Sequence, residues 1–417
     1  MATRPTPAAA ATAPNYTGPF IIVSGLFLMF GFLTNMNSNL SAKLEDIFHL
    51  NHAGSNLITT SWFFAYLVFS VPAGRLIELV GYKRTMVISL FAMVLGALLF
   101  VPAANTASFP FFLAASFVLA TGVTGLQTSV NLYASIMGPE HSAPARLSLA
   151  QAFNSAGNIL APIVVGAFIL SGSTKGMDRA AAAHTVQGPY IAVAIVLLLS
   201  GFAVIVLHLP AINLACDFRP ARHGVPKLER SIWAHKHTVL ALVGIFMYVG
   251  LEVSLFANAI RFFQSQGVDD MHKASVLAAF YPLTMMIGRF AGTFAMKYIE
   301  AERLLASVGV LGVALMVTGM FVTGQTAVWC FILCGLANSI MYPTIFTLGI
   351  AELGPLTSEG AGVLTLGGVG GAILPPLFGY LADKMGYQHA FLVPIVGYVF
   401  IIYFALSGYK PEREAAT

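Results

Sequence analysis

Long apolar runs alternate with short polar connections along almost the whole chain. A helix that crosses the hydrocarbon layer needs about 20 mostly apolar residues. Runs meeting that length fall at 18–42, 54–79, 84–104, 108–137, 146–172, 188–209, 238–264, 273–298, 302–322, 325–353, 358–382 and 389–409. The pattern predicts twelve membrane helices. Strands would leave backbone groups unpaired in lipid unless closed into a barrel, and the runs lack the polar–apolar alternation of barrel strands.

Composition supports the same reading. Of the 417 residues, 57% are hydrophobic and only 9% charged, against about 25% charged in an ordinary soluble domain. Lipid, not nucleic acid, is the expected surroundings, since the formal charge is only +4. Residues 1–17 read as an N-terminal tail without the features of a cleavable signal peptide. Of the three cysteines, Cys216, Cys330 and Cys334, the last two lie one turn apart in an apolar run and read as small packing residues. No disulfide or metal site is expected, and no cofactor.

An even number of spans puts both ends on one side. That side collects fourteen Lys and Arg residues, from Arg4 and Arg75 to Arg303 and Lys410, against five on the other: Lys43, Lys175, Arg179, Lys273 and Lys384. The asymmetry predicts cytoplasmic termini. The longest basic connection, 210–237, splits the chain into bundles at 18–209 and 238–409, followed by a tail at 410–417. A shift of 219 residues lays Gly25, Phe27, Gly31 and Asn39 on Gly244, Phe246, Gly250 and Asn258. A shift of 214 lays Gly157 to Pro162 on Gly371 to Pro376. Two parallel halves with a site between them is a carrier architecture.

Gly74-Arg-Leu-Ile-Glu78-Leu-Val-Gly81-Tyr-Lys83-Arg84 joins the second and third runs. It resembles the G-x-L-x-D-x-x-G-R-K signature of the major facilitator superfamily, with Glu78 in place of Asp. The glycines permit close helix contact and a tight turn, and an acid at a helix end can pair with Arg or with a helix N-terminus. Gly74, Glu78, Gly81, Lys83 and Arg84 are therefore expected to form a conformational latch. Gly31-Phe32-Leu33, Gly125-Leu-Gln127-Thr-Ser-Val-Asn131, Gln151-Ala-Phe-Asn154-Ser-Ala-Gly157, Tyr248-Val-Gly250-Leu-Glu252, Ile287-Gly288-Arg289-Phe290 and Tyr342-Pro-Thr-Ile-Phe346 are similar to the fucose/glucose/galactose branch of that superfamily. The resemblance runs from about residue 18 to 405. It implies an all-α fold of twelve helices in two pseudo-symmetric six-helix bundles, and sugar uptake by alternating access, usually cation-coupled, in a bacterial inner membrane. The protein is expected to act as a monomer.

Three departures qualify the proton chemistry that the resemblance implies. The first-span Asn-Asp pair of the fucose permease pattern is Asn37-Ser38 here, its fourth-span Glu is Gln127, and the following Pro is Leu132. Ser and Gln hydrogen-bond hydroxyls but carry no titratable proton.

Amides inside lipid are costly unless partnered. Asn35, Asn37, Ser38 and Asn39 crowd the first run; Gln127 and Asn131 share a face of the fourth; Gln151, Asn154 and Asn158 share a face of the fifth. Neutral donors and acceptors match a sugar's hydroxyls. Asn37, Ser38, Gln127, Asn131, Gln151, Asn154, Asn338 and Tyr342 are the candidate solute ligands. Helix-to-helix bonding by the same amides is the alternative. Phe153, Phe280, Tyr281, Tyr342 and Phe346 are candidates for an aromatic floor or plain packing.

Glu252 is the one acid well inside a span and the candidate for coupling to H⁺ or Na⁺. Its alternative role is an ion pair with Arg289 of the next span. Arg261 is expected to snorkel, and His49, His235 and His237 to be solvated. Gly367 to Gly371 lacks the Lys-Ser/Thr of a phosphate loop and reads as close packing. No convergent catalytic set appears, so an enzyme is not expected. The rivals to a coupled importer of a glucose- or galactose-like hexose are a uniporter, a carrier of N-acetylglucosamine or fucose, and a non-transporting sugar sensor.

Overall fold

The computed structural model describes residues 16–50, 52–168, 178–207, 209–210 and 231–412. Ser38 lies on the first helix, but its side chain is outside the described residues, as are Cys216 and most of the 210–237 connection. Twelve helical spans are numbered α1 to α12. The first six are α1 (Thr17–Phe48), α2 (His52–Val80), α3 (Tyr82–Asn105), α4 (Phe109–Ile136), α5 (Ala143–Phe168) and α6 (Gln187–Val206). Next come α7 (Lys236–Ser265), α8 (Met271–Ala295), α9 (Ala301–Phe321), α10 (Gln325–Gly349), α11 (Gly354–Met385) and α12 (Tyr387–Gly408). A short helix, Arg179–His184, leads into α6. No strand occurs among the described residues.

Among the described residues, eleven of these spans are both long and apolar enough to cross a membrane. The exception is α5, which has 26 residues but carries Gln151, Asn154 and Asn158. Gln151 and Asn154 on its polar face are buried inside the protein rather than set against lipid, the arrangement in which amides at membrane depth are tolerated.

The first six helices pack on one another, chiefly α1 on α5, α3 on α4 and α6, and α2 on α4. The last six do likewise through α7 on α11, α8 on α10, and α9 on α10 and α12. One contact is repeated in both halves. A Cβ on Gly157 of α5 would collide with the Leu28 carbonyl of α1, and a Cβ on Gly370 of α11 with the Phe246 carbonyl of α7. Small residues let these backbones touch. The sequence repeat therefore marks an equivalent helix contact, one residue out of the register read from sequence.

The α10 and α11 spans are interrupted in mid-span. The α10 helix breaks after Asn338 and resumes at Met341. In α11 a 3-10 turn, Gly367–Val369, separates Thr357–Leu366 from Gly370–Met385. Here Gly367 packs on the Leu242 carbonyl and Gly368 on the Tyr66 ring, so this glycine run is a close-packing device.

The halves touch toward the ends of the spans that also carry the chain termini, called here the terminal side. A Cβ on Gly362 of α11 would lie 2.7 Å from the Ser70 carbonyl and 3.0 Å from Gly74 Cα of α2. From α5, Ser148 Oγ donates to the Arg289 carbonyl of α8 at 3.3 Å. From α8, Thr293 Oγ1 donates to the Ala145 carbonyl of α5 at 3.4 Å. The bonds that Gln127, Asn131, Ser148, Arg289 and Thr293 make between the halves lie at mid-depth or on this side.

Candidate functional site

At mid-depth, above these contacts, the halves enclose a cavity of about 140 Å³. Its walls come from both bundles: Phe30 and Thr34 of α1; Trp62, Phe63 and Tyr66 of α2; Gln127 of α4; Gln151, Asn154 and Asn158 of α5. The second half adds Tyr248, Val249, Glu252 and Val253 of α7, Arg289 of α8, Tyr342 of α10, and Thr365 and Gly368 of α11.

A hydrogen-bonded chain crosses its floor. Tyr66 Oη donates to Gln127 Oε1 at 2.7 Å. Gln127 Nε2 donates to Tyr342 Oη at 3.3 Å, and Asn131 Nδ2 donates to the same oxygen at 3.0 Å. Gln151 Nε2 donates to Asn131 Oδ1 at 3.2 Å. A phenol has one donor and two acceptor sites. With both acceptor sites of Tyr342 taken, its proton remains for an acceptor in or beside the cavity. Gln151 Oε1 keeps its accepting capacity, as does Asn158 Oδ1 once Asn158 Nδ2 has donated to Asn154 Oδ1 at 3.3 Å. Aromatic rings opposite supply an apolar wall. This mixture of neutral donors, acceptors and ring faces suits a small polyhydroxylated solute.

Four of the eight candidate ligands line the cavity: Gln127, Gln151, Asn154 and Tyr342. Asn131 stands behind them and holds Tyr342 and Gln151. Asn37 does not reach the cavity; its Oδ1 accepts from Ser116 Oγ of α4 at 3.2 Å. It lies beyond Thr34 toward the far end of α1, where the helix faces α4. Asn338 is also displaced. It donates to Tyr281 Oη at 2.6 Å and accepts from Tyr398 Oη at 2.8 Å, tying α8, α10 and α12 together inside the second half. Both serve helix-to-helix bonding, the alternative weighed for such amides.

Of the five aromatics offered as a floor or as packing, Tyr342 lines the cavity. Phe153 and Phe280 are each 37% exposed and lie off the cavity. Phe346 stacks behind Tyr342 with ring planes 15° apart. The rings that do line the space, Phe30, Trp62, Phe63, Tyr66 and Tyr248, were not singled out for it in the sequence. A tryptophan in mid-span, away from the interfacial belts where Trp gathers, was the available signal.

Glu252 faces the cavity, with Tyr248 one turn before it on α7. The Tyr248 hydroxyl is buried beside the Glu252 carboxylate. Glu252 and Arg289 share the cavity but form no ion pair among the described residues. The Arg289 side chain, 3% exposed, is held otherwise. Its Nε donates to the Ser339 carbonyl at 3.1 Å, and its Nη1 to the Gln151 carbonyl at 2.7 Å and to Ser155 Oγ at 2.5 Å. Three oxygen acceptors compensate a buried guanidinium without a carboxylate.

The latch motif divides. Gly74 makes the close approach to Gly362, and Gly81, at φ +84°, makes the turn into α3. Lys83 Nζ instead caps the end of α6, donating to the Ile205 carbonyl at 2.8 Å and the Leu207 carbonyl at 2.9 Å. Cations are favoured at helix C-termini. Glu78 and Arg84 are exposed and unpaired among the described residues. His235 and His237 are buried, not solvated, and the His237 ring nitrogen lies 3.1 Å from the Ala351 carbonyl.

The architecture, twelve helices in two packed halves around a mid-depth cavity, defines a membrane carrier fold. The chain belongs to the Major Facilitator Superfamily, whose family model matches residues 22–366. It is 39% identical over 399 residues, 95% of each chain, to a glucose/galactose transporter of Brucella abortus. It is 31% identical over 410 residues, 94% of this chain and 93% of the other, to the L-fucose-proton symporter of Escherichia coli. A crystal structure of the transporter FucP in the outward conformation is similar at TM-score 0.82 and 29% identity. That match covers 94% of this chain and 98% of the other.

Proposed function

We propose that this protein imports a monosaccharide, a hexose of the glucose/galactose kind, by alternating access. The observation that carries the reading is the chain of neutral amides and phenols at the cavity floor, opposite an aromatic wall. A hexose hydroxyl can replace each of its hydrogen bonds without a charge having to be matched or neutralised. The kinship with a glucose/galactose transporter supports that sugar class.

With the termini in the cytoplasm of a bacterial cell, as the Lys/Arg asymmetry indicates, the closed terminal side is the inner one. The state described is then outward-facing. Sugar enters from outside, bridges the two halves at Gln127, Gln151, Asn154 and Tyr342, and leaves after the Gly74–Gly362 and Arg289–α5 contacts part. Closure on the opposite side must accompany that parting. The working unit is the monomer, surrounded by lipid, and it carries no cofactor and no catalytic chemistry.

Glu252 is the coupling group. It is the acid in the cavity wall, and a membrane-embedded carboxylate is costly to maintain without a role. Uptake into proteoliposomes, with imposed pH and Na⁺ gradients, tests this. Saturable hexose uptake driven by one gradient is expected. The Glu252→Gln protein should exchange labelled sugar but fail to accumulate it. Accumulation that survives this substitution overturns the coupling role, and absence of any saturable hexose uptake overturns the transport reading. A uniporter is the second reading, favoured by Gln127 and Ser38 at the positions where the fucose permease pattern carries acids. It would show the same uptake under either gradient and under none.

A further inference from the structure

We propose that Arg289 is a positioning residue for transport: an exchangeable tie that holds the terminal side shut and passes to Glu252 when that side opens. The proposal rests on the carrier reading above, in which the two halves separate on the terminal side during each cycle.

Arg289 belongs to the second half, yet two of its three hydrogen bonds go to the first. Nη1 grips the Gln151 carbonyl at 2.7 Å and Ser155 Oγ at 2.5 Å, both on α5. Only the Nε bond to Ser339, at 3.1 Å, stays within its own half. The arginine therefore bonds the backbone of the residue whose side chain lines the cavity, and so sets where Gln151 stands. Separation of α5 from α8 must break both Nη1 bonds at once. A buried guanidinium stripped of two acceptors is costly, because a lost partner leaves the charge uncompensated. A replacement acceptor has to lie in the second half, within reach of the cavity.

Glu252 meets that need. It is in the same half, on α7, and faces the same cavity. In the state described it forms no ion pair with Arg289, so the pairing is left over for the other state. The Nη2 group of Arg289 makes no hydrogen bond among the described residues and is the natural first contact. One cation with two alternative sets of acceptors, one on each side of a conformational change, is a two-position switch of the kind that packed interfaces use. It also links the coupling carboxylate to the gate. While Glu252 is charged it competes for the guanidinium that seals the terminal side.

The experiment measures conformation without sugar, so it does not depend on which sugar is carried. Nitroxide labels are placed on Arg84→Cys and Lys297→Cys, one exposed terminal-side position in each half, with Cys216, Cys330 and Cys334 replaced by Ser. Electron–electron distance measurements then give the fractions of closed and open protein. The parent should show mainly the short distance. Ser155→Ala and Arg289→Lys should each raise the open-to-closed ratio about tenfold, the loss expected for a hydrogen bond to a charged group. Glu252→Gln alone should lower that ratio, because the open state then offers the guanidinium no carboxylate. Distances unchanged in both Ser155→Ala and Arg289→Lys, in protein that elutes as the parent does, overturn the tie. A ratio unmoved by Glu252→Gln overturns the exchange. If the distances shift as expected but no hexose is carried, the transport reading fails and the tie stands.

Discussion

Asn131 of α4 donates to the hydroxyl of Tyr342 of α10 at 3.0 Å, across the boundary between the two halves. Gln127 shares that oxygen, so one phenol gathers two amides from the opposite bundle and fixes the floor of the cavity. Tyr342→Phe leaves both N–H groups without this acceptor. An unsatisfied buried donor costs about 1–3 kcal/mol. Hexose affinity should fall ten- to a hundredfold by titration calorimetry, with the protein still folded. An affinity within twofold of the parent would remove Tyr342 from the site.

The Asn338 triad makes the opposite prediction. Its bonds to Tyr281 and Tyr398 lie inside the second half, away from the cavity. Asn338→Leu should lower the thermal midpoint by several degrees, from two orphaned hydroxyls. It should leave the ratio of glucose to galactose affinity unchanged. A changed ratio would return Asn338 to the ligand set.

Closure through glycine is tested at Gly362, where an added Cβ meets the Ser70 carbonyl at 2.7 Å and Gly74 Cα at 3.0 Å. Neither backbone can yield without parting the helices. Gly362→Val should raise hydrogen exchange in the terminal-side ends of α2 and α11 and slow sugar counterflow severalfold. Parent-like exchange in both segments would show that this contact does not hold the closed state.

A pH effect follows from the loop between α4 and α5. Loss of solvation, and then the nearby charge of Glu352 in the opposite half, raises the Glu140 carboxyl above its ordinary 4.5. A raised acid binds more protons folded than unfolded, so its contribution to stability is whole below pH 4.5 and declines as pH climbs toward the raised value. Thermal midpoints of Glu140→Gln and the parent should therefore agree most closely near pH 4.5, with the variant gaining relative to the parent as pH rises to neutrality. A constant difference across that window would contradict the assignment.

Much of this molecule was legible in its sequence. Lipid imposes length and apolarity on each span, so the helices followed from the runs. Amides at helical spacing in lipid need partners, and Gln127, Gln151 and Asn154 lie together at the cavity. The misplacements have one physical cause. Spacing says which residues share a helix face but not which neighbour that face meets. Asn37 faces Ser116, Asn338 faces two tyrosines, and Lys83 faces the end of α6. The aromatic wall at Trp62, Phe63 and Tyr66 was missed because an aromatic in a span reads as packing until its neighbours are known.

The most direct measurement is hexose binding to the purified protein and to Gln151→Leu. Gln151 lines the cavity while its amide nitrogen holds the floor in place. The account predicts saturable binding of glucose or galactose to the parent, weakened at least tenfold in Gln151→Leu. Equal affinities in the two proteins, or no saturable binding to the parent, would contradict it.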